Sequence, residues 1–199
     1  MAQHNVVARL EAPARAAGPM TMGVMRVNHT AVSVRSMDRS LAFYTDMLGL
    51  ELLMEMDVDC NKGLDMVVGM TDAVGRVAFL AAGDTLVELW CYSAPSGRGV
   101  PANSLAADLG VRHVAFEVDD VDAMHARLTA AGYRFNSSPV DLGLHKTCYL
   151  HGPDDELIEL LEDRTDRSMM ARINSRTIER RRVVGAAETG ATAPRNDKE

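Results

Sequence analysis

Laid over itself at an offset of 84 residues, the chain matches Val27 with Val111, His29 with His113, Ala31 with Ala115, Val34 with Val118, Asp38 with Asp122 and Ala42 with Ala126. Self-similarity at a fixed spacing means that one supersecondary unit has been used twice. The chain is therefore expected to build its fold from a pair of like modules.

The grammar of each copy can be read locally. Over 27–34, Thr30, Val32 and Val34 fall on one face, and Val27, His29, Ala31 and Ser33 on the other, the period-two alternation of a half-buried strand. Ser36 is placed as an N-cap, Leu41, Tyr44 and Leu48 recur at helical spacing, and Gly49 stands where a left-handed cap ends a helix. Residues 50–58 read as a strand, and "RVAFLAAGDTLVELWCY" reads as two strands turning at Gly83 and Asp84. The stretch between, "DCNKGLDMVVGMTDAVG", is a loop or a short helix. In the second copy Val114, Phe116 and Val118 alternate inward, Asp119 or Asp120 caps, Val121, Met124 and Leu128 form a helical stripe, and Gly132 ends it. Strands follow near 133–135, 146–150 and 156–162.

The expected fold is α+β: two paired βαβββ modules forming a curved mixed-sheet cup, followed by a helical or disordered C-terminal tail. Boundaries are placed at 1–24 for a disordered leader, 25–92 for the first module, 93–108 for a linker containing "PSGRGVP", 109–163 for the second module and 164–199 for the tail. Residues 166–183 of that tail read as a helix whose basic run, "RINSRTIERRR", is a solvated face. The Ala/Arg character of the leader also fits organellar targeting, but the plain disordered reading is favoured.

The repeat gives the polar residues their meaning. Each module offers one His and one Glu at equivalent places: His29 with Glu88 in "LVELW", and His113 with Glu159 in "LIELL". Alternation turns the histidines away from the helix-packed face, toward a shared concave surface. Anionic Glu88 and Glu159 within apolar strands would each cost several kcal/mol without a partner, an order-of-magnitude figure for a desolvated charge. A divalent cation supplies that partner. Two carboxylates balance its charge, two neutral imidazoles complete four ligands, and open positions remain for waters or substrate oxygens, as in a catalytic site. Such mixed N/O ligation suits Zn, Ni, Co, Mn or Fe alike.

Other residues carry two readings. Trp90, on the face of Glu88, is a pocket wall or a core tryptophan. Glu117, on the face of His113, is a candidate base or a surface charge. His145, sharing parity with Tyr149 and His151, is a substrate contact or a turn histidine. Cys91 and Cys148 read as small buried hydrophobes.

Composition narrows the partners. A formal net charge of −7 and a pI near 5.4 leave too few cations to neutralise phosphates, so nucleic acid is not an expected partner. No apolar run approaches the roughly 18 residues of a membrane span. Cys60, Cys91 and Cys148 are odd in number and scattered, which argues for a reducing, cytoplasmic compartment. A small-molecule substrate is the expected partner.

With "HTAVSVRSMDRSLAFYTDMLGLELL", "VELW", "RHVAFEVDDVDA" and "GPDDELIELLE", the chain resembles the vicinal oxygen chelate superfamily over about 25–163. That superfamily includes glyoxalase I, methylmalonyl-CoA epimerase, fosfomycin- and bleomycin-resistance proteins and extradiol dioxygenases. The resemblance implies that His29, Glu88, His113 and Glu159 are metal ligands. With all four positions filled it points to the glyoxalase I or epimerase branch, and to a metal-dependent lyase or isomerase that enolises a small substrate bearing vicinal oxygens. Glu159 or Glu88 would then act as base, and a homodimer is implied. The alternatives are a metal-dependent oxygenase and a non-catalytic small-molecule-binding or drug-resistance protein. Where the family usually has a glycine, this chain has Asp155 or Glu156, so a differently shaped turn is expected there.

Overall fold

Alternating strands and capped helices place the main chain in two compact units that divide between Gly99 and Val100. The computed structural model describes residues 24, 26–59, 61–101 and 104–164. The expected tail helix at 166–183, and the expected leader apart from residue 24, lie outside the described residues.

In the first unit the elements run β1 (His29–Ser33), α1 (Met37–Leu41) continued by a π-helical turn over Ala42–Met47, β2 (Glu51–Val58), α2 (Lys62–Val68), β3 (Val74–Ala82) and β4 (Thr85–Ala94). The sheet order is β1-β4-β3-β2, with β1 parallel to β4 and the other neighbours antiparallel. Ser36 accepts from the Arg39 amide at 3.4 Å, and Gly49 takes the left-handed cap at φ 80°, as the spacing predicts. The helix between departs from expectation. Its Leu48 amide reaches back to the Phe43 carbonyl at 3.0 Å, and the Thr45 hydroxyl bonds the Leu41 carbonyl at 2.8 Å. The widened turn rotates the chain, so Met37, Ser40, Phe43 and Tyr44 form the buried face, while Leu41 and Leu48 are only half-buried. The ambiguous stretch resolves as α2, capped by Asn61 on the Leu64 amide at 3.0 Å and closed by Gly69 at φ 67°.

The second unit contains β5 (His113–Glu117), α3 (Val121–Ala130), β6 (Val140–Asp141), β7 (His145–His151) and β8 (Leu157–Asp163). Its sheet order is β5-β8-β7-β6, with β5 parallel to β8, so it repeats the topology of the first. Asp120 is the cap, accepting from the Ala123 amide at 2.9 Å. The strand expected at 133–135 reduces to one bridge between Phe135 and Leu150, and the edge position is filled instead by the two-residue β6. Asp155 adopts φ 67°, the left-handed conformation a glycine would take, so the turn keeps that geometry without one. Asp155 also pairs with Arg134 at 3.3 Å.

Each unit has its own apolar layer between helix and sheet. Val34, Met37, Phe43, Leu80, Val87 and Leu89 are buried in the first; Val121, Leu128, Cys148, Leu150, Ile158 and Leu160 are buried in the second. The repeated aspartates sit at corresponding points, Asp38 bonding Arg76 on β3 at 3.0 Å and Asp122 pairing with Lys146 on β7. One matched position in the sequence thus joins helix start to third strand in both units. No helix among the described residues is long and apolar enough to cross a membrane.

Candidate functional site

In each unit the parallel pairing of the first and last strands brings one imidazole beside one carboxylate. On β1 and β4, Ala31 lies opposite Glu88 and His29 opposite Leu86, so His29 and Glu88 are diagonal neighbours on the face away from the helix. Their Nε2 and Oε2 atoms stand 3.5 Å apart. On β5 and β8, Ala115 lies opposite Glu159 and His113 opposite Leu157, and the corresponding atoms stand 3.2 Å apart. The same register produces the same pair twice.

Exposure divides the two partners of each pair. The carboxylates are largely buried, with 12% of the Glu88 side chain and 11% of the Glu159 side chain accessible, while His29 and His113 keep 42% and 36%. The strands thus hold anions in an apolar setting and present imidazoles at the rim.

The donor chemistry fits a divalent ion. Two ligand atoms bound at about 2.1 Å stand about 3.0 Å apart at a right angle and about 3.4 Å apart at the tetrahedral angle. Within each pair the separation, 3.5 or 3.2 Å, is therefore compatible with two adjacent ligands of an ion. At His29, Nδ1 lies 2.9 Å from the Asn28 side-chain oxygen. With Nδ1 donating there, Nε2 is left as a lone-pair donor aimed at the Glu88 side, the orientation a metal-binding histidine needs. Within each unit the described residues gather two such donors, not three.

The second pair is steadied at its other end. The Thr147 hydroxyl on β7 lies 2.7 Å from Glu159 Oε1 and 2.9 Å from the Leu160 carbonyl, its single proton serving one or the other. The His113 ring packs at 5.0 Å from that of Tyr149. Burial, and then the charge of Glu159, raises the Tyr149 hydroxyl above its ordinary pKa. Tyr92 is raised in the same way by burial and then by Glu88. Each carboxylate thus has a protonated phenol in its electrostatic neighbourhood.

The remaining expected residues fall as follows. Trp90 lies on the face of Glu88 and stacks on Tyr92, with ring centroids 4.9 Å apart and planes 6° from parallel. Glu117 is exposed at the end of β5, opposite Leu161 and on the face of His113. His145 opens β7, opposite Asp163 and on the same face as Thr147 and Tyr149. Cys148 is on the opposite, helix-packed face; burial, followed by the charges of Asp122 and Glu159, pushes its thiol up to about 11, so it stays protonated. Asn28, Tyr92 and Thr147 escaped the reading of the sequence. Tyr92 and Thr147 carry a usable signal, since each stands two residues from a singled-out aromatic and shares its face.

Comparison with known proteins agrees with this architecture. The model of the Glyoxalase/Bleomycin resistance protein/Dioxygenase superfamily matches residues 26–160. A 2-epi-5-epi-valiolone epimerase from an Actinomyces species is 35% identical over 115 residues, which are 54% of this chain and 60% of the epimerase. A lactoylglutathione lyase from Pseudomonas aeruginosa is 27% identical over 143 residues, 68% of this chain and 81% of the lyase. Among solved structures, a glyoxalase family protein from Bacillus cereus superposes with a TM-score of 0.65 at 25% identity, covering 71% of this chain and 95% of its own.

Proposed function

Because the chain belongs to the Glyoxalase/Bleomycin resistance protein/Dioxygenase superfamily, we propose that it is a divalent-metal-dependent lyase or isomerase that enolises a small substrate carrying vicinal oxygens. The observation that supports this most is the duplicated pair, His29 with Glu88 and His113 with Glu159, at ligand-like separations of 3.5 and 3.2 Å. The curated relatives include both a lyase and an epimerase, and movement of a proton next to a carbonyl is chemistry available to both classes.

In this reading His29, Glu88, His113 and Glu159 hold one ion, drawn from Zn, Ni, Co, Mn and Fe. A bound dication polarises a chelated carbonyl and stabilises negative charge developing on its oxygen. The chain's own groups do the rest. Asn28 fixes the His29 ring, leaving Nε2 as the ligating atom. Thr147 holds one oxygen of Glu159. Glu88 has His29 as its polar contact among the described residues and is the freer of the two carboxylates to take a proton from the carbon beside the carbonyl. Glu159 is the other candidate base. The functional modules are 25–92 and 109–163, and the working form is a cytoplasmic homodimer.

The test is elemental analysis of the purified protein beside Glu159→Gln, together with deuterium exchange into a 2-hydroxycarbonyl compound. The expected result is a stoichiometric metal that the substitution depletes, and exchange without oxygen uptake. Metal content unchanged by Glu159→Gln would sink the ligand assignment. Oxygen consumption with Fe(II) would move the reading to an oxygenase. Purification without metal, with ligand binding indifferent to chelator, would move it to a binding protein.

A further inference from the structure

The sheet face that carries Glu88 continues along β4 into Trp90 and Tyr92, stacked at 4.9 Å and 6°. Trp90 lies opposite Val77 on β3, and Val77 is 2% exposed, so the stack has a dry apolar footing. Gly75, opposite Tyr92, adds no side chain to this surface. Both rings are only half-buried, which leaves ring surface that no described residue covers completely.

The second unit shows that the fold does not require this shelf. Counting from the equivalent carboxylate, Glu159, the positions of Trp90 and Tyr92 are taken by Leu161 and Asp163, and that of Val77 by Thr147. The same strands in the same register are therefore built without an aromatic pair. The tryptophan and tyrosine beside the first unit's carboxylate are therefore an addition to the shared scaffold, with ring surface left open to a ligand.

We propose that Trp90 and Tyr92 form a subsite for a planar aromatic group on the substrate, attached directly to its oxygen-bearing carbon. The reach follows from strand geometry: Trp90 is two residues, about 7 Å, along the strand from Glu88. A ring joined straight to the chelating oxygens spans that distance without the entropy cost of ordering a flexible linker. Flat π-faces add to an existing stack by offset packing. The inference rests on the metal-dependent reading above and adds the class of substrate.

The experiment uses the full chain loaded with zinc and two probes that chelate through the same vicinal oxygens, benzohydroxamate and acetohydroxamate. Trp90 is the sole tryptophan of the chain, so its fluorescence reports on the shelf directly. Benzohydroxamate is expected to bind about tenfold more tightly, a gain within reach of one aromatic stack, and to quench Trp90, while acetohydroxamate leaves the emission unchanged. By calorimetry, Trp90→Leu, which installs the residue found at the equivalent point of the second unit, is expected to erase the preference without altering zinc content. Equal affinities in the unsubstituted protein, or a preference that survives Trp90→Leu, would overturn the shelf alone. The unsubstituted comparison decides the matter even if the variant does not fold. A chain that takes up no zinc would overturn the metal reading, and the shelf, which rests on it, would fall with it.

Discussion

The pair His29–Glu88 and the pair His113–Glu159 occupy the same register positions of their sheets, yet they are held from opposite ends. In the first unit the imidazole is steadied, by the Asn28 side chain at 2.9 Å, and the carboxylate is comparatively free. In the second, the carboxylate is steadied by Thr147 at 2.7 Å, while Arg112, at the position equivalent to Asn28, turns away to Ser104 and Asp108. Val77 stands where Thr147 has its counterpart. Duplication supplied donors in like places; the groups behind them make the two halves unequal. In the proposed reading, a fixed carboxylate would serve to hold the ion and a freer one to move the proton.

The sharpest way to break this comparison is to remove one carboxylate at a time. Glu88→Gln and Glu159→Gln are each expected to lower metal affinity by more than about 100-fold, beyond the range of losses from outer-shell groups. Competition with a chromophoric chelator measures it. If one substitution leaves affinity intact, the two pairs do not serve a common ion. The next effect isolates the asymmetry. Thr147→Val, which copies the first unit, is expected to weaken metal binding about tenfold, the lower end for a group that orients a ligand. Val77→Thr in the first unit is not expected to weaken it. Equal behaviour of the two variants would mean that the Thr147 hydroxyl has no part in holding Glu159.

How far this could be read in advance follows from what each signal depends on. Period-two alternation and the caps Ser36, Asp120, Gly49 and Gly132 are local, and the structure has them where the spacing placed them. The π-turn was illegible because it depends on the Thr45 hydroxyl competing for a backbone carbonyl and on Phe43 and Tyr44 both finding core space. The strand expected at 133–135 failed because pairing at a sheet edge depends on a neighbour, and its contact with β7 is one bridge, Phe135 with Leu150, flanked by the backbone bonds of Arg134 and Asn136. At the site, the repeat pointed to both histidines and both glutamates. The face of Thr147 was readable from its spacing to Tyr149, but its meeting with Glu159 was not, since that depends on the register of two antiparallel strands, which neither strand's own sequence encodes.

A smaller effect tests whether equivalent caps are equally strong. Asp120 meets its helix amide at 2.9 Å, whereas Ser36 meets its own at a long 3.4 Å. Asp120→Ala is expected to destabilise its unit by about 1 kcal/mol, the usual worth of an N-cap, and Ser36→Ala by about half as much. Chemical denaturation resolves the difference. Equal losses would show that the longer bond shortens in solution and that the two helix starts are equivalent after all.

The smallest expected effect lies at the far end of β7, where His151 occupies the place that Ala81 fills in the first unit. Its Nε2 lies 2.9 Å from the Asn136 side-chain oxygen, while Nδ1 is buried without a partner among the described residues. Burial first, then the Arg134 guanidinium, lowers the His151 pKa below its ordinary 6.5, against a weaker pull from Asp155. The folded state therefore prefers the neutral ring, and the unfolded state binds the proton more readily. That preference contributes its full stability above pH 6.5, the ordinary value, and the contribution is lost as acidification passes from there through the lower folded value. His151→Ala, which copies the first unit, is expected to flatten this part of the curve of melting temperature against pH, leaving the variant relatively more stable in acid than at neutrality when each is compared with the parent protein. A difference between the two proteins that does not change with pH would show that the folded and unfolded chains bind the His151 proton equally, and that the second unit carries no acid sensitivity of its own at this position.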